Sequence, residues 1–278
     1  MILIFDTFGG LCNQFYDINC GINFCLINNI KFSFRYCSFR KDNLVSWRNE
    51  PFDKLFDTEF LNKYKPLYVD FKNISLTKDN TCNYVNTVNS NILINDKDDI
   101  LTKLSSFNKE FVILRQFYGT YKFKKIIDNV NNFIIPSKRL LDKYLEIKNN
   151  ILQVDKQYNF IHYRYESDFT RYFKLDNTEP LVDLIERLKL RFKNPSLKIY
   201  IATTNIENLI DLNKIDVKNT ILTKNEHEHE LTEYNFEEKA FIDYMFGKNA
   251  EEVFGHKLSS FSFILNHLKK TNNYYNVT

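Results

Sequence analysis

Ile2-Leu-Ile-Phe5-Asp6-Thr-Phe-Gly9-Gly10-Leu11 opens the chain with an apolar run that stops at a glycine pair, and the period changes immediately after it. Leu11, Phe15, Ile18, Ile22 and Leu26 recur at helical spacing as far as Asn28-Asn29, and Lys31 to Tyr36 then alternates as a strand. Strand, glycine turn, helix and strand form a βαβ unit, and such a crossover joins parallel strands. The stretch therefore sets the fold class as α/β with a parallel sheet.

Working outward, Phe52 to Tyr64 reads as a helix, Lys78 to Ser90 as a polar loop and Phe111 to Leu114 as a strand. Pro136-Ser137 opens a helix carrying Leu140, Leu141, Tyr144 and Leu145, with Ser137 as its N-cap. The polar segment Lys148 to Gln157 marks a boundary between domains 1–150 and 151–278. The alternation then returns, with Phe160 to Tyr163 as a strand and Leu181, Leu184, Ile185 and Leu188 as a helix face. Lys198 to Ala202 is a strand ending in Thr203-Thr204, Ile206 to Leu212 a short helix and Thr220 to Leu222 a strand. Phe236, Ala240 and Tyr244 share a helical face, and a last helix turns Leu258, Phe261, Leu265 and Leu268 inward. Two halves built of βα units imply two facing Rossmann-like domains with a central cleft.

Composition narrows the function classes. Among 278 residues, 44% are hydrophobic and 26% charged, which suits a folded globular chain. A net charge of +3 provides no global field for nucleic acid or an anionic membrane, so neither is expected as a partner. The five cysteines are odd in number and include no C-x-x-C pair, so they read as reduced, packed thiols. No apolar stretch is long enough to span a bilayer, and Met1 runs straight into the first strand without a signal peptide's basic start. A cytoplasmic location is the expectation, under which the sequons at Asn73 and Asn276 are accidental.

Four segments carry the candidate chemistry. His162-Tyr-Arg164-Tyr-Glu166-Ser-Asp168 follows a strand, so His162, Arg164, Glu166 and Asp168 share a face if the strand continues. They then stand beyond the carboxyl end of a strand, where open α/β sheets bind ligands. Arginine's planar fork suits a phosphate and stabilises charge on a leaving diphosphate, whereas the bland alternative is a solvated ladder of ion pairs. Gly9-Gly10-Leu-Cys-Asn13-Gln14 is either a phosphate-approaching turn at a helix start or a plain tight turn. Ser259-Ser260-Phe261-Ser262, after Gly255-His256, either caps a helix or offers its bonds to a phosphate, and Phe261 reads more as core than as contact. Glu226-His227-Glu228-His229-Glu230 places two histidines two apart, off any common helical face, so a charged loop is preferred to a metal site.

In order and spacing, Gly9 to Gln14, His162 to Asp168, Ile242-Asp243-Tyr244 and Gly255 to Ser262 resemble the motifs of the GDP-fucose O-fucosyltransferase superfamily, its plant-type members especially. The resemblance implies a GT-B arrangement of two Rossmann-like domains, a GDP-sugar donor in the cleft, inversion at the anomeric carbon, and no metal or other cofactor. By motif position, the glycine turn at Gly9 and Gly10 carries Asn13 beside the diphosphate or acceptor. His162 contacts the donor nucleoside, Arg164 holds the β-phosphate, Asp243 accepts bonds from the base, and Ser259, Ser260 and Phe261 close over the phosphates. Neither the secretory anchor nor the disulfides of the animal enzymes is expected here, and the motifs show no clear family-assigned base. Glu166 and Asp168 are the candidates for deprotonating the acceptor, with Asp6 and Asp17 behind them; either of the first two can instead orient Arg164.

The expected function is a metal-independent, inverting transfer of a sugar, fucose first, to a glycan or protein hydroxyl. The competing readings are the same fold with another donor such as UDP-xylose, a non-catalytic nucleotide- or glycan-binding module, and a metal-dependent hydrolase around His227 and His229.

Overall fold

The structure, a computed structural model, describes residues 1–41, 46–86, 97–115, 117, 134–152, 157–164, 174, 179–203 and 221–275, with the backbone alone for 83–86, 97–100 and 225–228. The chain forms two compact units, Met1–Leu140 with Asn235–Glu238, and Leu141–Tyr234 with Lys239–Thr278.

In the first unit, β1 (Ile2–Asp6), β2 (Lys31–Arg40), β3 (Trp47–Pro51), β4 (Thr81–Asn86) and β5 (Phe111–Arg115) form a five-stranded sheet in the order β3-β2-β1-β5-β4. All neighbours are parallel except β2 and β3. The opening βαβ unit is present: β1 leads through Gly9-Gly10 into α1 (Leu11–Asn28), and the crossover returns to β2. Gly9 has φ +90°, which side chains avoid, and Asn29 closes α1 in the left-handed conformation. The core is built of phenylalanine, with Phe52 stacked 4.8 Å from both Phe34 and Phe56. α2 (Lys97–Ser106) precedes β5.

Three expectations change here. Phe52 to Tyr64 is not one helix but two 3₁₀ segments, Phe52–Lys54 and Glu59–Tyr64. The chain between them pairs with 135–137 instead: Asp57 N–H donates to Ile135 O (3.0 Å), Ser137 N–H donates to Leu55 O (3.0 Å), and Phe56 bridges Pro136. Ser137 does not cap the following helix through its hydroxyl, which donates to Lys54 O at 3.0 Å. Part of the expected polar loop is strand β4, which among the described residues pairs with β5 alone at the edge of the sheet and so needs no continuous apolar run.

The second unit holds β6 (Asn159–His162), β7 (Ile199–Ala202), β8 (Ile221–Leu222), β9 (Val253–His256) and β10 (Tyr274–Tyr275) in an all-parallel sheet ordered β10-β9-β6-β7-β8. α4 (Leu181–Lys189) and α6 (Ser260–Lys269) lie in this unit, while α3 (Lys138–Leu152) and α5 (Phe236–Asn249) begin in the first unit and continue in the second. Residue 150 thus falls inside α3. Leu181, Leu184, Ile185 and Leu188 are buried against Ile161, Ile199 and Ile201, as the helical spacing requires. Leu258, expected inward, precedes α6 and is 47% exposed. The helix expected at Ile206 to Leu212 lies outside the described residues.

Candidate donor-binding site

Parallel strands end together, so the carboxyl edge of the second sheet gathers residues distant in sequence. Register places His162 of β6 beside Ala202 of β7 and Gly255 of β9, with Tyr275 of β10 beside His256 and Lys224 just past β8. β6 ends at His162, so the face proposed to continue through residues 164, 166 and 168 is not strand at Arg164; Glu166 and Asp168 lie outside the described residues.

His162 is buried, and its Nδ1 is 2.9 Å from Ser262 Oγ. Its ring centroid lies 4.4 Å from that of Phe261, which is partly exposed and also packs edge-on against Tyr244. Burial first, then the charges of Arg164 and Lys224 and the neighbouring His256, hold the imidazole well below its usual range, so His162 is neutral. His256 is pushed down to about 4 by burial and by Arg164, and its Nδ1 accepts from Leu258 N–H at 3.2 Å. Arg164 is half-buried, and Tyr275 fixes the backbone that leads into it: the hydroxyl donates to His162 O (2.6 Å) and accepts from Arg164 N–H (3.1 Å).

α6 starts at this edge. Ser259 is its N-cap residue without a side-chain capping bond, and Ser260 and Phe261 form its first turn, where backbone N–H groups have no partner within the helix. Gly255 permits the approach, because a Cβ there would run into Ser262 Oγ and Cβ. Asp243, on α5, has both oxygens engaged: Tyr200 Oη–H donates to Oδ1 (2.8 Å) and Lys224 Nζ–H donates to Oδ2 (2.6 Å). Stacking of Tyr200 on Phe160 (5.6 Å) and Phe246 (4.1 Å) aims that hydroxyl.

The first unit presents a different constellation at its glycine turn. Gly10 caps α1, and a Cβ on it would meet Arg40 Nη2 at 3.0 Å. Asn13 is partly exposed, and its side chain lies against Gly9. Gln14, fully buried, is a staple: its Nε2 donates to Gly9 O and Ser38 O, and its Oε1 accepts from Thr7 Oγ1 and Ser38 N–H. The reserve base candidates are committed elsewhere. Asp6 pairs with Arg35 through both oxygens, and Asp17 accepts from Phe8 N–H at 2.8 Å. Arg40 lies over Phe236 (4.3 Å) and Trp47 (5.3 Å) and contacts Glu237, whose carboxyl burial raises to about 7.

Sequence reading did not single out Lys224, Tyr200 or Tyr275, of which Lys224 alone had a positional signal, as the first charge after a strand; Ser262 lay in the quoted motif. Among the described residues no group of three or more His, Cys, Asp or Glu side chains is arranged to hold a metal ion, and His229 is exposed. No described helix is long and apolar enough to cross a membrane.

These two sheets and their order define the class of fold, the α/β fold of solved fucosyltransferase structures that the sequence motifs resemble. Over 99% of this chain and 96% of theirs, it superposes on POFUT1 in complex with GDP-fucose with a TM-score of 0.67 at 11% identity. POFUT1 in complex with GDP gives 0.66 at 12% identity, over 99% and 97%. NodZ alpha-1,6-fucosyltransferase soaked with GDP-fucose gives 0.56 at 11% identity, over 96% and 92%; a further NodZ structure is from Bradyrhizobium. No protein-family model matches the sequence, and no curated protein matches it.

Proposed function

We propose that the protein is a metal-independent, inverting glycosyltransferase that moves a sugar, fucose in the first instance, from GDP to a hydroxyl of a glycan or protein. The observation that carries this reading is Arg164, held at the end of β6 by Tyr275, within electrostatic reach of His162 and His256 and on the sheet edge where α6 begins. The fold shared with structures solved with GDP and GDP-fucose supports the donor. In this reading residues 151–278 hold the donor and residues 1–150 the acceptor.

The acceptor oxygen forms a bond to the anomeric carbon as the bond from that carbon to the diphosphate breaks, and the acceptor proton passes to Glu166 or Asp168. Arg164 takes up the charge growing on the leaving diphosphate, aided by the N–H groups of Ser260 and Phe261 at the start of α6. Neutral His162, with Ser262 behind it, orients the nucleoside, and Asp243 accepts from the base. Ser259 shapes the α6 turn, while Gly9, Gly10 and Asn13 form the corresponding turn of the acceptor unit. The five cysteines are thiols, four of them buried, which favours a reducing compartment such as the cytoplasm.

The test is transfer from GDP-fucose and from UDP-xylose across an array of glycan and peptide acceptors. Fucose transfer with release of GDP is expected, and Arg164→Lys slows it about 100-fold or more, because a point charge does not replace the bidentate fork. Xylose transfer alone removes fucose; tight binding without turnover on any acceptor points to a binding module; wild-type rates in Arg164→Lys remove its role.

A further inference from the structure

Lys224 is an unusual residue to bury: it is 3% exposed, at the end of β8, with its ammonium 2.6 Å from Asp243 Oδ2. Asp243 is itself 6% exposed, and its other oxygen accepts from Tyr200. Each carboxylate oxygen carries two lone pairs and the ammonium three N–H protons, so each group holds more than one partner and these bonds order the pair. Asp243's side chain is 8% exposed and Lys224's 3%, so the carboxylate is the more accessible of two buried groups that lie side by side.

We infer that Lys224 is a specificity-determining residue that reads the base of the donor jointly with Asp243; the inference rests on the nucleoside diphosphate reading above. In order, Lys224 Nζ–H, Asp243 Oδ2 and Asp243 Oδ1 present donor, acceptor, acceptor. Guanine's edge offers the complement, with O6 as acceptor and N1–H and N2–H as donors. Uracil matches only the first two positions, and repulsion between its O2 acceptor and Oδ1 keeps it off this edge, so it does not draw on Lys224; cytosine opposes all three, and adenine's N6–H₂ meets the ammonium. A buried, prepaired edge rejects these mismatches strongly, because a wrong base leaves desolvated groups without partners. Asp243 alone would accept from any N–H; Lys224 fixes which end of the edge must be a carbonyl.

The experiment is calorimetric titration of wild type, Lys224→Met, Lys224→Gln and Lys224→Arg with GDP, IDP and UDP. Wild type is expected to bind GDP more tightly than IDP, which lacks the N2 amine, and IDP more tightly than UDP. In Lys224→Met, GDP and IDP each weaken by about 10- to 100-fold while UDP changes much less, and Lys224→Arg keeps the preference. If Lys224→Met does not fold, Lys224→Gln carries the same comparison with a smaller loss. Equal weakening of all three nucleotides, or an unchanged GDP-to-UDP ratio, overturns the inference and leaves the donor reading standing. A wild type that binds no GDP overturns the donor reading itself.

Discussion

At Gly255 a single hydrogen in place of a side chain lets β9 and α6 touch. A Cβ there would collide with Ser262 Oγ and Cβ and come within 3.3 Å of its backbone Cα, so the helix and not only a flexible tip would have to move. Ser262 carries the contact to His162, so the same displacement loosens the seat of that imidazole. Gly255→Ala is expected to cost about 2–4 kcal/mol in urea unfolding, in line with overpacking of a closely packed contact, and to weaken GDP binding. Adding Ser262→Gly removes the colliding side chain and should restore part of the stability without restoring binding, since the His162 contact stays lost. Stability unchanged by Gly255→Ala would contradict the packing described. The Ser-Ser-Phe-Ser motif showed that hydroxyls gather here, but only the fold showed that the third of them, Ser262, faces the histidine.

Helix α5 shows what an element owes to local sequence and what to its neighbours. Asn235 and Glu238 make a reciprocal capping box: Asn235 N–H donates to Glu238 Oε2 (2.9 Å), and Glu238 N–H donates to Asn235 Oδ1 (3.1 Å). The helical face of Phe236, Ala240 and Tyr244 was legible in the sequence. The burial of Glu237 was not, since it depends on Arg40, far away in sequence, whose backbone N–H donates to Glu237 Oε2 at 2.8 Å. Burial outweighs the Arg40 attraction and lifts the carboxyl from 4.5 to about 7. A folded pKa above the unfolded one means stability that is fully present below about 4.5 and is lost as pH rises through 7. Relative to Glu237→Gln, which does not ionise, wild type should therefore lose of order 1–3 kcal/mol between pH 4.5 and 8. Chemical denaturation of both proteins across that range measures it, and a wild-type advantage growing with pH would refute the assignment. The edge strand β4 and the 3₁₀ segments were illegible for the same reason as Glu237: their partners, β5 and 135–137, lie elsewhere in the chain.

For the whole molecule, the informative feature is that each unit owns a sheet, wholly or mostly parallel, and a core. Apolar runs and the switch of period at Gly9-Gly10 made both sheets readable, whereas the pairing of Lys224 with Asp243 was hidden because its members meet only once the second sheet has formed. Two cores also allow ligand binding to be located without reference to catalysis. If the donor is held at the carboxyl edge of the second sheet, GDP at about 100 times its Kd should add nearly 3 kcal/mol to the stability of what it binds. Hydrogen exchange should then slow most in β6, β7 and β9 and in the first turn of α6, with β1, β2 and β5 responding less. Arg164→Lys should shrink the protection at a fixed GDP concentration, and Lys224→Met should shrink it for GDP more than for UDP. Slowing confined to β1, β2 and β5 would move the donor to the first unit and remove Arg164 from the centre of the mechanism.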